Sequence, residues 1–246
     1  MILFVFEGQV SEPIVFDSLA KLYLTSEEVC TVCCKYDLPT LYSKLKKHDY
    51  DIFRVLPFKD NGIDIPEDTR LDTLFSQIFL FFDYDFQNRM GVKKLNDIID
   101  EMLEYFSDET DNGKLYINYP MVESLKYTKE MPDPNYNSYV TSRQTCVDHL
   151  FKAEAETYAY PAAKAYRFID LGRTPEDEVL RNWEELKVQN VSKANYIVSG
   201  QCGLPAVKED VIQLRVFEAQ KDRYVLRNDE VAILNSFPLF LYEFFK

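Results

Sequence analysis

Four short apolar runs, separated by segments of helical periodicity, constrain the fold of this chain more than any other feature. The runs are ILFVF at residues 2–6, EVCTVCC at 28–34, IFLFFDYD at 78–85 and KLYINYP at 114–120. A strand that is apolar on both faces needs cover on both faces, as in a parallel sheet flanked by helices. The sequence therefore predicts an α/β fold for the first half of the chain.

Helical periodicity marks the segments between these runs. Ser11 and Pro13 are typical of a helix start, and the apolar spacing predicts a helix over residues 11–24. Further helices are predicted over three segments, residues 38–48, 68–76 and 92–106. Residues 51–56 fit a short strand or a helical piece equally well.

The second half of the chain has a different character. Long helical patterns cover residues 144–169, with an interruption at Pro161, and residues 175–198; residues 209–245 predict one or two more helices. We therefore expect a sheet-containing catalytic domain over residues 1–130 and a mostly helical extension over residues 131–246. The aromatic end of the chain is expected to pack back on the first domain; docking on a partner is the alternative.

Charge and composition narrow the classes of function. The 246 residues carry a formal net charge of −13, which weighs against nonspecific binding of nucleic acid through lysine and arginine. A local site that holds metal ions remains compatible with this charge. No apolar run reaches the roughly 18 residues of a membrane span, and the first residues lack the basic start of a signal peptide. We therefore expect a cytoplasmic protein without membrane association.

Acidic residues follow three of the apolar runs. Glu7 follows the first run, Asp83 and Asp85 end the third, and Glu123 follows the fourth. Ligands of open α/β sheets bind beyond the carboxyl ends of the strands. Residues two apart in an extended strand point the same way, so Asp83 and Asp85 are expected to share one face. An ordinary loop after a strand is the alternative for either aspartate.

A pair of carboxylates on one face needs compensation. Like charges held close together repel, and a cation placed between them removes that cost. Hard divalent ions take oxygen ligands, often one or two carboxylates together with water and substrate phosphate. The acids at the strand ends therefore predict a site for Mg²⁺ or Mn²⁺.

Other chemistries have weaker signals in this sequence. A phosphate loop of the GxxxxGK[ST] kind is absent, and His48 and His149 lack an adjacent nucleophile. Cys30 and Cys33 have the spacing of zinc ligands, but a second pair is missing. An aspartyl phosphatase also uses an Asp-x-Asp pair, but on its first strand and with Thr or Val next, whereas Phe86 follows the pair here.

Two stretches, ILFVFEGQVSEP and FLFFDYDFQN, and more loosely LYINYPMVES, carry a resemblance to a known family. A hydrophobic strand followed by Glu-Gly, a βα segment, and a hydrophobic strand followed by Asp-x-Asp resembles the toprim domain. This domain is shared by topoisomerases, primases and the OLD-type and RloB-like bacterial nucleases. The resemblance covers about residues 1–125, and it implies a toprim-like parallel sheet.

The resemblance also implies Mg²⁺-dependent phosphodiester chemistry. Glu7, Asp83 and Asp85 match the metal-binding acids of the family, in which the glutamate also acts as a general acid or base. Glu12 matches the second acid of the nuclease branch and is therefore expected to be catalytic. Glu123 stands where a further carboxylate would close the metal site.

The function implied by the resemblance is a nuclease that acts on DNA or on RNA, including tRNA. Small toprim proteins of bacterial defence systems often work beside an ATPase sensor, which implies an antiphage effector with such a partner. A topoisomerase would need a nucleophilic tyrosine on a separate domain, and a primase would bring zinc and basic modules. The alternative is a degenerate toprim domain that binds a partner or a nucleotide without catalysis.

Overall fold

A five-stranded sheet organises the first half of the chain. The computed structural model describes residues 1–66, 69–158 and 160–245. The strands are β1 (Ile2–Phe6), β2 (Val29–Cys33), β3 (Gln77–Asp83), β4 (Ser107–Asp108) and β5 (Gly113–Asn118). They lie in the order β2-β1-β3-β5-β4, and every pair is parallel except β4 with β5. The predicted α/β class is confirmed.

Helices join these strands and lie on both faces of the sheet. They are α1 (Ser11–Tyr23), α2 (Leu38–Lys47), α3 (Leu71–Leu74) and α4 (Val92–Tyr105). The ambiguous segment 51–56 contains a 3₁₀ helix, Ile52–Arg54, and a second 3₁₀ helix spans Lys59–Asn61. The helix predicted over 68–76 is reduced to α3, because Arg70 and Phe75 on either side have extended backbones. Residue 68 of that prediction lies outside the described residues.

The second half of the described chain is mostly helical, as predicted. Its α-helices are α5 (Arg143–Val147), α6 (Phe151–Thr157), α7 (Glu176–Ser199), α8 (Gln213–Gln220), α9 (Leu226–Asn228) and α10 (Ser236–Phe244). Short 3₁₀ or π segments span Val122–Lys126, Tyr136–Ser138, Lys164–Ile169, Lys208–Val211 and Lys221–Val225. None of the helices in the described ranges combines the length and apolar character that a bilayer crossing requires.

Two details of the second half differ from the expectation. A small antiparallel sheet pairs β6 (Val140–Ser142) with β7 (Glu230–Ala232). Strands of three residues are too short for an alternating pattern to be visible in a sequence. The helix pattern over 144–169 is divided, because His149 has a left-handed backbone with φ of 57° between α5 and α6.

The two faces of the sheet bury different kinds of side chain. Aliphatic residues dominate the face that packs on α2, α4 and α8, with Leu3, Val5, Ile78, Leu80, Leu115 and Ile117. Aromatic residues dominate the face that packs on α1 and α10, with Phe4, Phe6, Phe79, Phe81 and Tyr116. The alternation follows from the two-residue period of a strand.

Helix α10 closes the aromatic face. The ring of Phe237 stacks on Phe81 with centroids 4.4 Å apart, and Phe240 meets Phe79 edge-on at 5.0 Å. The domain boundary at residue 130 stays a prediction. Helix α10 comes after this boundary in the sequence, yet it packs against the sheet formed by the residues before it. The last described helix is therefore part of the sheet's hydrophobic core.

We expect Phe240→Ala to lower the free energy of unfolding by about 3–5 kcal/mol, the usual cost of removing a buried phenyl ring. Phe240 is fully buried and contacts the rings of Phe4, Phe79 and Tyr116. Urea unfolding measures the change. Leu226→Ala is the control, since Leu226 is 66% exposed and its loss should cost less than about 0.5 kcal/mol. Equal small effects in both variants would show that α10 does not close the core.

Candidate acidic site at the carboxyl ends of the strands

The parallel sheet brings the strand-end residues to one edge. Phe6 of β1 is in register with Phe81 of β3, and Asp83 of β3 is in register with Asn118 of β5. The backbone N–H of Glu7 continues this pairing by donating to the carbonyl of Phe81 at 3.2 Å. Glu7, Asp83 and Asn118 therefore lie side by side at the carboxyl edge, where open α/β sheets bind their ligands.

A hydrogen bond joins Glu7 directly to Asp83. The Glu7 carboxylate accepts the backbone N–H of Asp83 through Oε2 at 3.1 Å. The Asp83 carboxylate in turn accepts from the Asn118 side-chain amide at 3.1 Å. Asn118 is oriented from its other side, because its Oδ1 accepts from the backbone N–H of Ser236 at 3.0 Å and from its hydroxyl at 2.8 Å. Asn118 was not among the predicted site residues, although a polar residue at the end of an apolar run is a signal that the sequence contains.

Glu12 turns back toward this edge from the first turn of α1. Its side chain is only 4% exposed, and its Oε1 accepts the backbone N–H of Gly8 at 3.0 Å. A Cβ atom on residue 8 would lie 2.8 Å from Oε2 of Glu12, so a larger residue there would displace this carboxylate. The carboxylate therefore faces the site as well as the positive end of the α1 dipole.

Glu123 approaches the site from the 3₁₀ helix after β5. Its side chain is 6% exposed. Oε1 forms an ion pair with Lys152 at 3.0 Å and accepts from the Ser11 hydroxyl at 3.5 Å. Oε2 is buried, and no described residue donates a hydrogen bond to it. Buried acceptors are normally paired, so an unpaired one indicates a place for a ligand. Lys152 had no signal in the sequence.

Burial and neighbouring charges raise the pKa of Glu7. Burial has the largest effect, and the negative charges of Asp85, Glu12 and Asp37 act in the same direction, whereas the hydrogen bond from the Asp83 N–H opposes them. Together these causes raise the pKa from an ordinary value of 4.5 to about 8. Glu7 therefore lies at the centre of the acidic residues on this edge.

The same causes act on Asp83 and Glu12. Burial raises the pKa of Asp83 well above its ordinary range, and the charges of Glu7, Glu12 and Glu123 add to the effect. Burial also raises the pKa of Glu12, and Glu123 contributes through its charge. Burial acts to lower the pKa of Lys152, but Glu123, Asp83 and Glu12 together raise it. These four acids and one lysine therefore share one electrostatic environment.

Asp85 belongs to the same edge but not to the extended strand. Strand β3 ends at Asp83, and Asp85 has a left-handed backbone with φ of 54°. The alternation that predicted a shared face for the two aspartates therefore does not hold at residue 85. The Asp85 carboxylate accepts hydrogen bonds from the side-chain amides of Gln87 and of Asn88, the latter at 3.0 Å. Burial raises its pKa, and the charge of Asp37 adds to the rise.

The chemistry of these groups fits a hard divalent cation. Five carboxylates supply only oxygen ligands, and one oxygen of Glu123 is buried without a partner among the described residues. Within the described part of the chain, no three His, Cys, Asp or Glu side chains form a ready-made metal-binding group. Mg²⁺ commonly takes one or two protein carboxylates and completes its shell with water and phosphate. Glu7 and Asp83 are the pair best placed to provide them.

The cysteines and histidines considered for other chemistries are not part of the group of acidic residues. All five cysteines are free thiols. Cys30 and Cys33 are on β2, and burial raises the pKa of both thiols. His48 ends α2, whereas His149 lines a pocket beside Asp85.

Comparisons with protein-family models, with curated proteins and with solved structures found no match to this chain. The chemistry of the acidic site therefore has to be inferred from its geometry, its charges and the motifs of the sequence.

Without metal, the free energy of unfolding should fall as the pH rises from about 5 to 8. The folded-state pKa of Glu7 is about 8 against an ordinary 4.5, so the folded protein holds a proton that the unfolded chain has lost. Raising the pH in this window therefore favours the unfolded chain, by up to about 1.4 kcal/mol per pH unit. Glu7→Gln should flatten the dependence, as measured by urea unfolding in chelator at several pH values.

Glu27→Gln is the matched control for this measurement, since Glu27 is exposed in the turn before β2. Its pH dependence should follow that of the wild-type protein. The same steep dependence in the Glu7→Gln variant would show that Glu7 is not the residue that takes up the proton.

Proposed function

We propose that this protein is a metal-dependent phosphodiester hydrolase, a nuclease that uses Mg²⁺ or Mn²⁺. One observation carries the proposal. Glu7 and Asp83, from the ends of two neighbouring parallel strands, are joined by a hydrogen bond. The charge of Glu7 raises the pKa of Asp83, and the charge of Glu12 raises the pKa of both. Such repulsion between carboxylates is relieved by a cation. The toprim resemblance adds support, because its motif acids are the residues in question.

The carboxylates have two different roles in this proposal, metal binding and proton transfer. Glu7 and Asp83 would hold the ion, with Asp85 and Glu123 as further ligands on either side. A bound divalent ion supplies Lewis-acid stabilisation of phosphate oxygens and orients the attacking water. Glu12 is held in place by the Gly8 N–H and has a raised pKa, which suits it to move a proton during the reaction.

Lys152 is placed to contact the substrate phosphate. Its side chain is 66% exposed, yet its ammonium lies 3.0 Å from the Glu123 carboxylate. It therefore reaches from the rim of the site toward the acids. In a chain with a net charge of −13, a local cation of this kind is needed for a phosphate to approach the carboxylates.

The biological setting follows from the resemblance alone. The proposed substrates are DNA or RNA, including tRNA, and the proposed role is an effector of bacterial antiphage defence. An ATPase sensor is the proposed partner protein, and the cytoplasm is the proposed location.

A non-catalytic domain is the second candidate function. The ion pair between Lys152 and Glu123 favours it, because a lysine that neutralises a carboxylate competes with a metal for the same oxygen. Such a degenerate toprim domain would bind a partner or a nucleotide without cleaving it. Metal binding and cleavage by the same protein separate the two candidates.

Asp83→Asn should abolish the metal-induced rise in melting temperature and any cleavage of nucleic acid. The metal-free variant should stay folded and be as stable as the wild type or slightly more so, because the substitution removes repulsion from Glu7, Glu12 and Glu123. Thermal melting with Mg²⁺, Mn²⁺ or chelator measures the first effect. Incubation with plasmid, single-stranded DNA and total tRNA measures the second.

Asp97→Asn is the matched control, since Asp97 is exposed on α4 and the change of charge is the same. It should leave both readouts at the wild-type level. A folded Asp83→Asn protein that still binds metal and cleaves normally would end the hydrolase proposal.

Lys152→Ala should separate substrate binding from metal binding. The loss of a phosphate contact should raise KM about tenfold, as expected for a hydrogen bond between charged groups. Metal affinity should be unchanged or higher, because Glu123 is released from its ion pair. Lys93→Ala, on the exposed side of α4, is the control. Weaker metal binding in the Lys152→Ala variant would contradict this assignment.

A further inference from the structure

A pocket adjoins the acidic site on the side of Asp85. It has a volume of about 440 Å³ and is lined by Asp85, Gln87, Asn88, Arg89, Val147 and His149. Small-molecule sites in proteins span roughly 300–1,000 Å³. The pocket is thus large enough for one nucleotide and too small for a double helix. Asp85 belongs to both places, since its charge also raises the pKa of Glu7.

Gln87, which lines this pocket, has an unsatisfied acceptor. The side-chain nitrogen of Gln87 donates to Asp85. Its Oε1 is buried, and none of the described residues donates a hydrogen bond to it. Native proteins rarely leave a buried carbonyl oxygen unpaired. A ligand with an N–H group would satisfy this oxygen, and every nucleobase has such a group on its pairing edge.

Cationic and apolar groups complete the lining. Arg89 is exposed, and its guanidinium forms no hydrogen bond or ion pair with the residues that the structure describes. A guanidinium presents five donors that match the oxygens of a phosphate. Val147 is 42% exposed and offers apolar surface to a base or a sugar. The imidazole of His149 adds a further polar group.

We infer that this pocket binds one unpaired nucleotide of a single-stranded nucleic acid, next to the phosphate on which the acidic site acts. The inference rests on the proposed function. Arg89 contacts a backbone phosphate, Gln87 accepts from the base, and Val147 packs against the base or the sugar. A base within a duplex already uses its pairing edge, so Gln87 can reach only an unpaired or extruded base.

The first test measures the pocket without any cleavage. Adenosine 5′-monophosphate and its deoxy form are titrated calorimetrically, with Mg²⁺ present, into wild-type protein, Arg89→Ala and Arg181→Ala. Arg181 is exposed on α7, so its substitution changes the net charge equally and serves as the control. Arg89→Ala should weaken binding at least about tenfold, and Arg181→Ala should leave it within about twofold. No binding, or equal binding by all three proteins, overturns the inference.

The second test uses polymers of one sequence as single strands and as duplexes, in DNA and in RNA. The wild-type protein should favour the single strand, and Arg89→Ala should raise KM with little change in kcat. A preference for duplex, or binding of the mononucleotide alone, overturns the inference and leaves the hydrolase proposal intact. If no polymer is cleaved but single strands bind through Arg89, the hydrolase proposal fails and the pocket stands.

Discussion

The parallel pairing of β1 with β3 is the interaction on which both the core and the acidic site depend. Its register places Phe4 against Phe79 on one face and Leu3 against Ile78 on the other. The same register brings the residue after β1 to the end of β3, where Glu7 accepts the N–H of Asp83. A slip of one residue would move every side chain to the opposite face. The core and the site therefore could not shift independently of each other.

The site concentrates negative charge where water has limited access, and the fold supplies several fixed dipoles to hold it. Backbone N–H groups bind Glu7 and Glu12, and a side-chain amide binds Asp83. These donors fix the positions of the carboxylates and act to lower their pKa values, but burial and the neighbouring negative charges outweigh them and keep all three pKa values raised. Rigid packing on both faces of the sheet keeps the carboxylates from separating. This combination of fixed geometry and uncompensated charge is typical of a site prepared for a cation.

The apolar runs predicted the strands, because strands of a sheet that is covered on both faces need apolar side chains on both faces. The acidic residues after those runs predicted the edge of the sheet at which the carboxylates lie. Local pattern could not show that β3 stops at Asp83 or that Asp85 turns into a left-handed conformation. It also could not identify Lys152, whose ion pair with Glu123 depends on the position of α6 beside the edge. The sequence contains a signal for Asn118, a polar residue at the end of an apolar run. Its orientation, however, depends on Ser236, which is distant in the sequence. Long-range contacts of this kind leave no periodic signal.

The position of α10 has a consequence for folding of the chain during its synthesis on the ribosome. The strands of the sheet are synthesised long before α10, so Phe79 and Phe81 have no cover from Phe237 and Phe240 until the chain has grown through residue 244. A nascent chain with exposed aromatic surface is prone to aggregate and is a natural client of chaperones. Asn118 also gains its Ser236 partner only at that point. The hydrogen bonds that orient Asn118, and through it the Asp83 carboxylate, are therefore completed only when the last described helix has been synthesised.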